Sequence, residues 1–274
     1  MKTITIVGGG WLGRPLAHFL ETIGHKVFVS KTSAEGVDDL GKEHLRAFQL
    51  NLDDDIASVK TSLASNQPDI VIGCFPPGFR KGRGAEYATQ WKKLVEACQY
   101  AKVNRVVMVS STTVYPNQAK EMVEEDATLE LASDNVAFSE NAQIMLQAEQ
   151  SLKESGIAYG IVRCSGLVGP MRHPSRFAAK LKQVSDLAPA NMLHLTDAIG
   201  AVSFVATLEK SVIVNATTPN TVSKAEFYQA ALNSVGSDES LPPVVHIADK
   251  RILADSLIQL GYRFHHQHTL ELVE

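Results

Sequence analysis

The feature that most constrains the fold of this 274-residue chain is a glycine-rich turn close to its start. Gly8, Gly10 and Gly13 form a G-x-G-x-x-G pattern. The apolar run TITIV at 3–7 precedes the pattern, and apolar residues at helical spacing follow it over 12–23. A strand that enters a helix through such a turn begins a βαβ unit, and βαβ units build parallel sheets. The turn therefore predicts an α/β fold.

The same glycine pattern carries a chemical prediction. The first glycine makes a tight turn, the second lets the backbone approach a pyrophosphate, and the third lets the helix pack closely on the sheet. We therefore expect residues 8–13, which include Trp11 and Leu12, to bind a dinucleotide at the helix N-terminus. The alternative is that the glycines serve only the turn and its packing. A P-loop is rejected because no Gly-Lys-Ser/Thr sequence follows.

The end of the predicted second strand, 27–29, bears on the choice of dinucleotide. NAD sites usually place an acid there for the ribose 2′-hydroxyl. Here Ser30, Lys31 and Thr32 follow the strand, and no acid occurs over 26–33. A lysine flanked by two hydroxyls suits a 2′-phosphate, which favours NADP over NAD as the cofactor. The alternative for Lys31 is a solvated turn lysine.

Strands and helices continue to alternate along the chain. Further strands are predicted at 45–50, 69–74, 105–109 and 158–162, and further helices at 56–63, 85–100 and 138–153. This order predicts a doubly wound parallel sheet, the Rossmann architecture, over residues 1–165. The pattern then changes, and 166–274 is predicted to form a smaller substrate-covering region packed on the first. Its predicted elements are helices at 197–208, 225–235 and 249–260 and strands at 212–215 and 244–247.

Composition excludes several other classes of protein. A net charge of −4 argues against a nucleic-acid partner, and no apolar run reaches the roughly 18 residues of a membrane helix. The three cysteines are too widely spaced for a disulfide framework or a zinc pattern. Met1 and Lys2 lead directly into a strand, with no signal peptide pattern, so we expect a cytoplasmic protein.

The segment SSTTVYP at 110–116 closes the predicted fifth strand. Together with the glycine turn, it resembles the extended short-chain dehydrogenase/reductases, the NAD-dependent epimerase/dehydratase family, in which Ser-Ser-x-x-Val-Tyr-Gly stands at this point. Pro116 replaces the final glycine. More narrowly, the chain resembles an atypical, nucleoside-diphosphate-sugar epimerase-like branch of that family. The segments that carry this narrower resemblance are 8–14, 30–32, 110–116, 163–176 and 194–201.

The resemblance implies particular catalytic groups. In this family a Ser or Thr hydroxyl binds the substrate, and a Tyr whose pKa is lowered by a Lys four residues later transfers a proton. The hydroxyl position falls on Ser111, with Thr112 beside it; the alternative is that both cap a strand end. Matching the family's acidic landmark to Glu149 places the Tyr and Lys positions at Asn141 and Met145. None of the six tyrosines has a lysine four residues later, so the Tyr-x-x-x-Lys pair is absent.

Three candidates remain for the missing proton transfer: His173, Tyr115 and a water molecule. His173 lies between Arg172 and Arg176, in a loop that by resemblance passes over the nicotinamide and substrate. Its unperturbed pKa near about 6.5 suits an acid or base. The alternative is a loop of surface cations.

Two further clusters were weighed. Arg80, Lys81 and Arg83 follow the fourth predicted strand, where ligands bind in such sheets, and they suit a substrate phosphate. A solvated loop is the interpretation favoured slightly. His265, His266 and His268 lie near the C-terminus, but with no cysteine pattern nearby we predict a solvated segment and no metal.

The leading hypothesis is an NADP- or NAD-dependent enzyme of the epimerase/dehydratase or oxidoreductase type. Its substrate would be a small molecule or a nucleotide sugar, and by resemblance it would form a homodimer through the helices at 85–100 and 138–153. The alternative hypothesis is a non-catalytic dinucleotide-binding sensor or interaction module.

Overall fold

The computed structural model describes residues 1–178 and 180–274. The strands in chain order are β1 (Thr3–Val7), β2 (Lys26–Lys31), β3 (Arg46–Gln49), β4 (Ile70–Gly73), β5 (Arg105–Ser111), β6 (Glu121–Met122), β7 (Ala158–Cys164), β8 (Gly166–Val168), β9 (Val184–Ser185), β10 (Met192–His194), β11 (Val212–Ala216), β12 (Val244–Val245) and β13 (Arg251–Ile252). The helices are α1 (Gly13–Thr22), α2 (Ala34–Lys42), α3 (Ile56–Ala64), α4 (Gly84–Tyr100), α5 (Leu129–Ala132), α6 (Glu140–Lys153), α7 (Ser175–Ala178), α8 (Leu195–Thr207), α9 (Lys224–Ser234) and α10 (Asp255–Gln259).

A seven-stranded parallel sheet is the centre of the fold, with strand order β3-β2-β1-β4-β5-β7-β11. The chain builds one half outward from β1 and then returns to lay β4 on the other side of β1, so the order reverses between these two strands. This is the doubly wound arrangement, and the predicted fold class is confirmed. Both central strands are almost entirely buried, as expected where helices cover both faces of a sheet.

Three elements differ from the sequence prediction. Helix α2 was not predicted, because its nine residues carry only Val37 and Leu40 as large apolar side chains. Strand β11 was predicted as part of the second region, but it extends the central sheet beside β7. The helix predicted at 249–260 is instead the short strand β13 followed by the short helix α10.

The chain divides into two compact units, each built from three separate segments. The first contains 1–114, 140–162 and 202–213, and the second contains 115–139, 163–201 and 214–274. This differs from the predicted single boundary after residue 165, because the chain enters and leaves the central sheet several times. Among the helices in the described part of the chain, none is long and apolar enough to cross a membrane.

A buried carboxylate organises the end of the chain within the second unit. Asp197 is 1 % exposed and lies in the first turn of α8. Its carboxylate accepts hydrogen bonds from the backbone N–H of His265 at 2.6 Å and of His266 at 3.1 Å. The Nδ1 atom of the His266 ring also lies 2.6 Å from it. Because a buried carboxylate needs such partners, Asp197 ties residues 265–266 to the start of α8.

We predict that Asp197→Asn lowers the free energy of unfolding by about 3 kcal/mol, because the amide nitrogen would face N–H donors at a buried position. Chemical denaturation at neutral pH measures the change. The matched control is Asp186→Asn, since Asp186 also pairs with a histidine, His246, but in an exposed setting. That control should cost no more than about 1 kcal/mol. Equal losses in the two variants would contradict the role given to Asp197.

Candidate functional site

The candidate site lies at the carboxyl ends of β1 and β4, where the strand order reverses. Ligands of doubly wound sheets bind in the crevice outside the strand ends at this point. The two strand ends approach closely, since a Cβ atom on Gly8 would stand 2.9 Å from the backbone nitrogen of Phe75. Gly8 also has φ +107°, a conformation that side-chain-bearing residues rarely adopt. Both facts account for a glycine directly after β1.

Ser30, at the end of β2, holds the glycine turn in place. The N–H of Gly8 donates to the Ser30 hydroxyl at 3.1 Å, and the N–H of Gly9 donates to the Ser30 carbonyl at 2.9 Å. The Gly10 N–H then donates to the Gly8 carbonyl at 2.8 Å. Ser30 is buried, so the residue predicted to contact the cofactor also supports the loop beneath it.

Gly10 and Gly13 have opposite surroundings. A Cβ on Gly13 would stand 2.2 Å from the Gly8 carbonyl oxygen, so α1 packs directly on the turn. A Cβ on Gly10 would meet no atom within 4 Å. In the described region around α1, no side chain caps the N-terminus at Leu12 and no acid lies in the first turn. Open space beside an uncapped helix N-terminus fits a pyrophosphate, so the residues present suit a dinucleotide.

The predicted 2′ position lies at the start of α2. The aliphatic stem of Lys31 packs on Gly36, where an added Cβ would stand 3.1 Å from it. Thr32 is exposed, and its carbonyl accepts a hydrogen bond from the Gln49 amide. Ser33 caps α2 by accepting from the Gly36 N–H at 3.2 Å. The first turn of α2 carries Glu35, which is also exposed.

The predicted substrate hydroxyls lie at the end of β5, which neighbours β4 in the sheet. Ser111 is the last residue of this strand, and Thr112 begins a short 3₁₀ turn, Thr112–Val114. The Ser111 Oγ atom lies 2.9 Å from the Thr113 hydroxyl and accepts from the Thr113 N–H at 3.1 Å. Ser111 thus stabilises the strand end, as the simpler interpretation expects, and both Ser111 and Thr112 stay partly exposed.

The positions assigned by resemblance to the Tyr and Lys lie on α6. Asn141 is exposed, whereas Met145 is 1 % exposed and belongs to the core. One turn further, the buried Glu149 carboxylate accepts a hydrogen bond from the Ser110 hydroxyl at 2.6 Å. The acidic landmark therefore binds the end of β5 directly.

Tyr115 is not available for proton transfer, which corrects one of the three candidates. The residue is 1 % exposed, and its hydroxyl donates to Asn215 Oδ1 at 2.6 Å. The same hydroxyl accepts from the Arg163 guanidinium at 3.1 Å. Burial raises the pKa of Tyr115 to about 12. A buried, fully bonded phenol is a structural group.

His173 lies in the second unit, whereas Ser111 and Thr112 lie in the first. It is partly exposed, and its Nδ1 atom lies 2.8 Å from the Ser175 hydroxyl at the start of α7. Arg176 of the same loop donates to the Met171 carbonyl at 3.0 Å. Both side chains therefore also stabilise the local turn.

The basic loop after β4 gives little support to a phosphate site. Arg83 donates to Asp53 and to Glu86, each at 2.6 Å, so its charge is already matched. Arg80 is exposed, and the Lys81 side chain lies outside the described part of the structure. The C-terminal histidines are not a metal site either, since His266 binds Asp197. Among the described residues no group of three or more His, Cys, Asp or Glu side chains could hold a metal ion.

Sequence reasoning missed two features of this region. Phe75, which follows β4, stacks on Trp91 of α4 with ring centroids 4.9 Å apart. Arg14, directly after the last glycine, donates to Glu43 at 2.8 Å. Arg14 stood within the quoted glycine segment, but the partner lies 29 residues away and no local pattern links the two.

The geometry agrees with the comparison to known proteins. The sequence model of the NAD dependent epimerase/dehydratase family matches residues 4–188, more than half of the chain. The chain belongs to this family. The Escherichia coli K12 protein YeeZ is 29 % identical over 207 residues, covering 75 % of this chain and 73 % of YeeZ.

Solved structures of low sequence identity share the fold of this family member. Bordetella bronchiseptica WbmH, solved with NAD+, has a TM-score of 0.78 at 19 % identity and covers 100 % of this chain and 96 % of WbmH. The Campylobacter jejuni UDP-Glc/GlcNAc 4-epimerase has a TM-score of 0.79 at 14 % identity, covering 100 % and 97 % of the two chains.

We predict different outcomes for alanine at two glycines of the turn. Gly10→Ala should leave the free energy of unfolding within about 0.5 kcal/mol of wild type, because the added methyl group enters open space. It should nevertheless weaken dinucleotide binding by about tenfold or more, because that space is the pyrophosphate position. Gly13→Ala should destabilise the protein, since its methyl group would overlap the Gly8 carbonyl.

Thermal unfolding and calorimetric titration with NADP+ and NAD+ separate the two effects. Unchanged affinity in a folded Gly10→Ala variant would contradict the placement of the cofactor.

Proposed function

We propose that this chain is an NADP- or NAD-dependent enzyme of the epimerase/dehydratase or oxidoreductase type that prefers NADP. The observation that carries the proposal is the cradle formed by residues 8–13, in which Gly10 borders open space at an uncapped helix N-terminus. The family and the NAD+ complex of WbmH support dinucleotide binding. The substrate would be a small molecule or a nucleotide sugar, and the sugar nucleotide named for the Campylobacter epimerase supports the second class.

The preference for NADP rests on charge at the end of β2. Lys31 lies where a dinucleotide in this cradle would place its ribose 2′ group, and Thr32 adds an exposed hydroxyl. A 2′-phosphate is a dianion at neutral pH, so an adjacent ammonium favours it over a 2′-hydroxyl. NAD remains the alternative cofactor.

The proposed chemistry uses few of this chain's own side chains. When bound, the nicotinamide supplies hydride transfer. The hydroxyl of Ser111 or Thr112 would donate a hydrogen bond to the substrate oxygen and polarise it. Proton transfer falls to His173 or to water, because Tyr115 is buried and the chain has no Tyr-x-x-x-Lys pair.

A second candidate function is a non-catalytic dinucleotide-binding sensor or interaction module. The observation that favours it is Met145, a fully apolar core residue at the position assigned to the lysine. Turnover decides between the two. Consumption of NADPH or NADH with a carbonyl panel, or conversion of a sugar nucleotide, would support the enzyme. Tight cofactor binding with no conversion in any assay would support the sensor.

We predict that Lys31→Gln weakens NADP+ binding by about tenfold and leaves NAD+ binding unchanged, because only NADP+ carries the 2′-phosphate. Calorimetric titration of both cofactors measures the effect. Lys26→Gln is the matched control, since Lys26 is exposed at the opposite end of the same strand. An equal loss for both cofactors, or no loss for either, would refute the assignment of Lys31.

A further inference from the structure

Arg14 and Glu43 form an ion pair beside the proposed cofactor cradle. Arg14 lies in the first turn of α1, directly after the last glycine of the motif, and Glu43 follows the end of α2. The guanidinium donates to one carboxylate oxygen at 2.8 Å, and His18 Nε2 lies 3.1 Å from the other. Both side chains of the pair are more than a third exposed, at 38 % and 37 %. An exposed ion pair of this kind contributes little to stability.

The same guanidinium lies near the proposed 2′ position. Asp39, on α2, accepts a hydrogen bond from Lys42 at 2.8 Å, and this bond is the main cause that lowers the pKa of Asp39. The charges of Arg14 and Lys31 lower the same pKa further. Two cations that act on one carboxylate lie near each other, although they come from different elements of the chain. A phosphate beside Lys31 would therefore be within the field of Arg14 as well.

We propose that Arg14 is a specificity-determining residue that binds the 2′-phosphate of NADP, and that Glu43 holds its guanidinium when this phosphate is absent. This inference rests on the NADP preference proposed above. Arg14 extends from α1, whose N-terminus would face the pyrophosphate, toward α2, which begins at the 2′ position.

The exchange is chemically favourable. A guanidinium binds phosphate through two parallel N–H donors, and a dianionic phosphate offers more charge than one carboxylate. Because the Arg14 side chain is exposed, it can rotate between the two partners without repacking the core. Neutral residues at 14 and 43 should therefore change the affinity for NADP+ in opposite directions.

The test is calorimetric titration of the full-length protein with NADP+ and with NAD+. Arg14→Gln should raise the Kd for NADP+ roughly tenfold and leave that for NAD+ unchanged. Glu43→Gln should lower the Kd for NADP+, because the competing carboxylate is gone, and should again leave NAD+ unchanged. In the double variant the gain from Glu43→Gln should disappear. Arg46→Gln is the matched control, since Arg46 makes a similar exposed ion pair, with Glu21 at 2.6 Å, at the start of β3.

The outcomes separate this inference from the proposed function. If Lys31→Gln weakens NADP+ binding selectively and Arg14→Gln does not, the NADP preference stands and the role of Arg14 is overturned. A parallel change for both cofactors in Arg14→Gln would also overturn it, because it would indicate a structural ion pair. If the wild-type protein binds neither cofactor, or prefers NAD+, the proposed function fails in that respect and the role of Arg14 fails with it.

Discussion

The candidate site depends on the two hydrogen bonds that Ser30 makes to the glycine turn. They form because β1 and β2 pair in parallel with Ile6 opposite Val29, which brings the end of β2 beside the turn after β1. The turn is then closed by β4 behind Gly8 and by α1 against the same carbonyl through Gly13. Gly10 faces the side that stays open. A rigid backbone with one open side is what an extended anion requires, since its hydrogen-bond donors are held in place before the anion arrives.

The second unit is organised by buried polar groups. Arg163 is 1 % exposed and donates to the carbonyls of Glu124 and Ala127, each at 2.8 Å. The Glu124 carboxylate in turn accepts from the Asn215 N–H at 2.6 Å and from Ser256 at 2.8 Å. Tyr115 completes this network by bonding to both Arg163 and Asn215. Because every member is needed to match another buried polar group, the demand for hydrogen bonds, not catalysis, explains a tyrosine at this position.

Local patterns in the sequence predicted the elements that depend on local chemistry. The strand at 3–7 was predicted at its observed bounds, and the turn after it follows from three glycines at fixed spacing. What the patterns missed depends on contacts distant in sequence. Strand β11 is isolated in the sequence and joins the sheet beside β7, and Glu43 meets Arg14 across 29 residues. Arg83 looked free in a basic loop, yet its partner Asp53 lies 30 residues earlier. Charge matching is a tertiary property, so a cluster of cations in sequence is weak support for an anion site.

Helix α6 explains how cofactor binding and catalysis can separate in this fold. Asn141, Met145 and Glu149 stand four residues apart and share one side of the helix. Glu149 binds Ser110 and so ties α6 to β5, a task that needs no reactive group at the other two positions. A lysine ammonium at 145 would be buried there and would need a compensating partner, whereas methionine fills the core at no such cost. The cradle at 8–13 is built from β1, β2, β4 and α1, none of which depends on the residue at 145. Loss of the proton-transfer pair would therefore leave dinucleotide affinity intact, so affinity and turnover have to be measured separately in this protein.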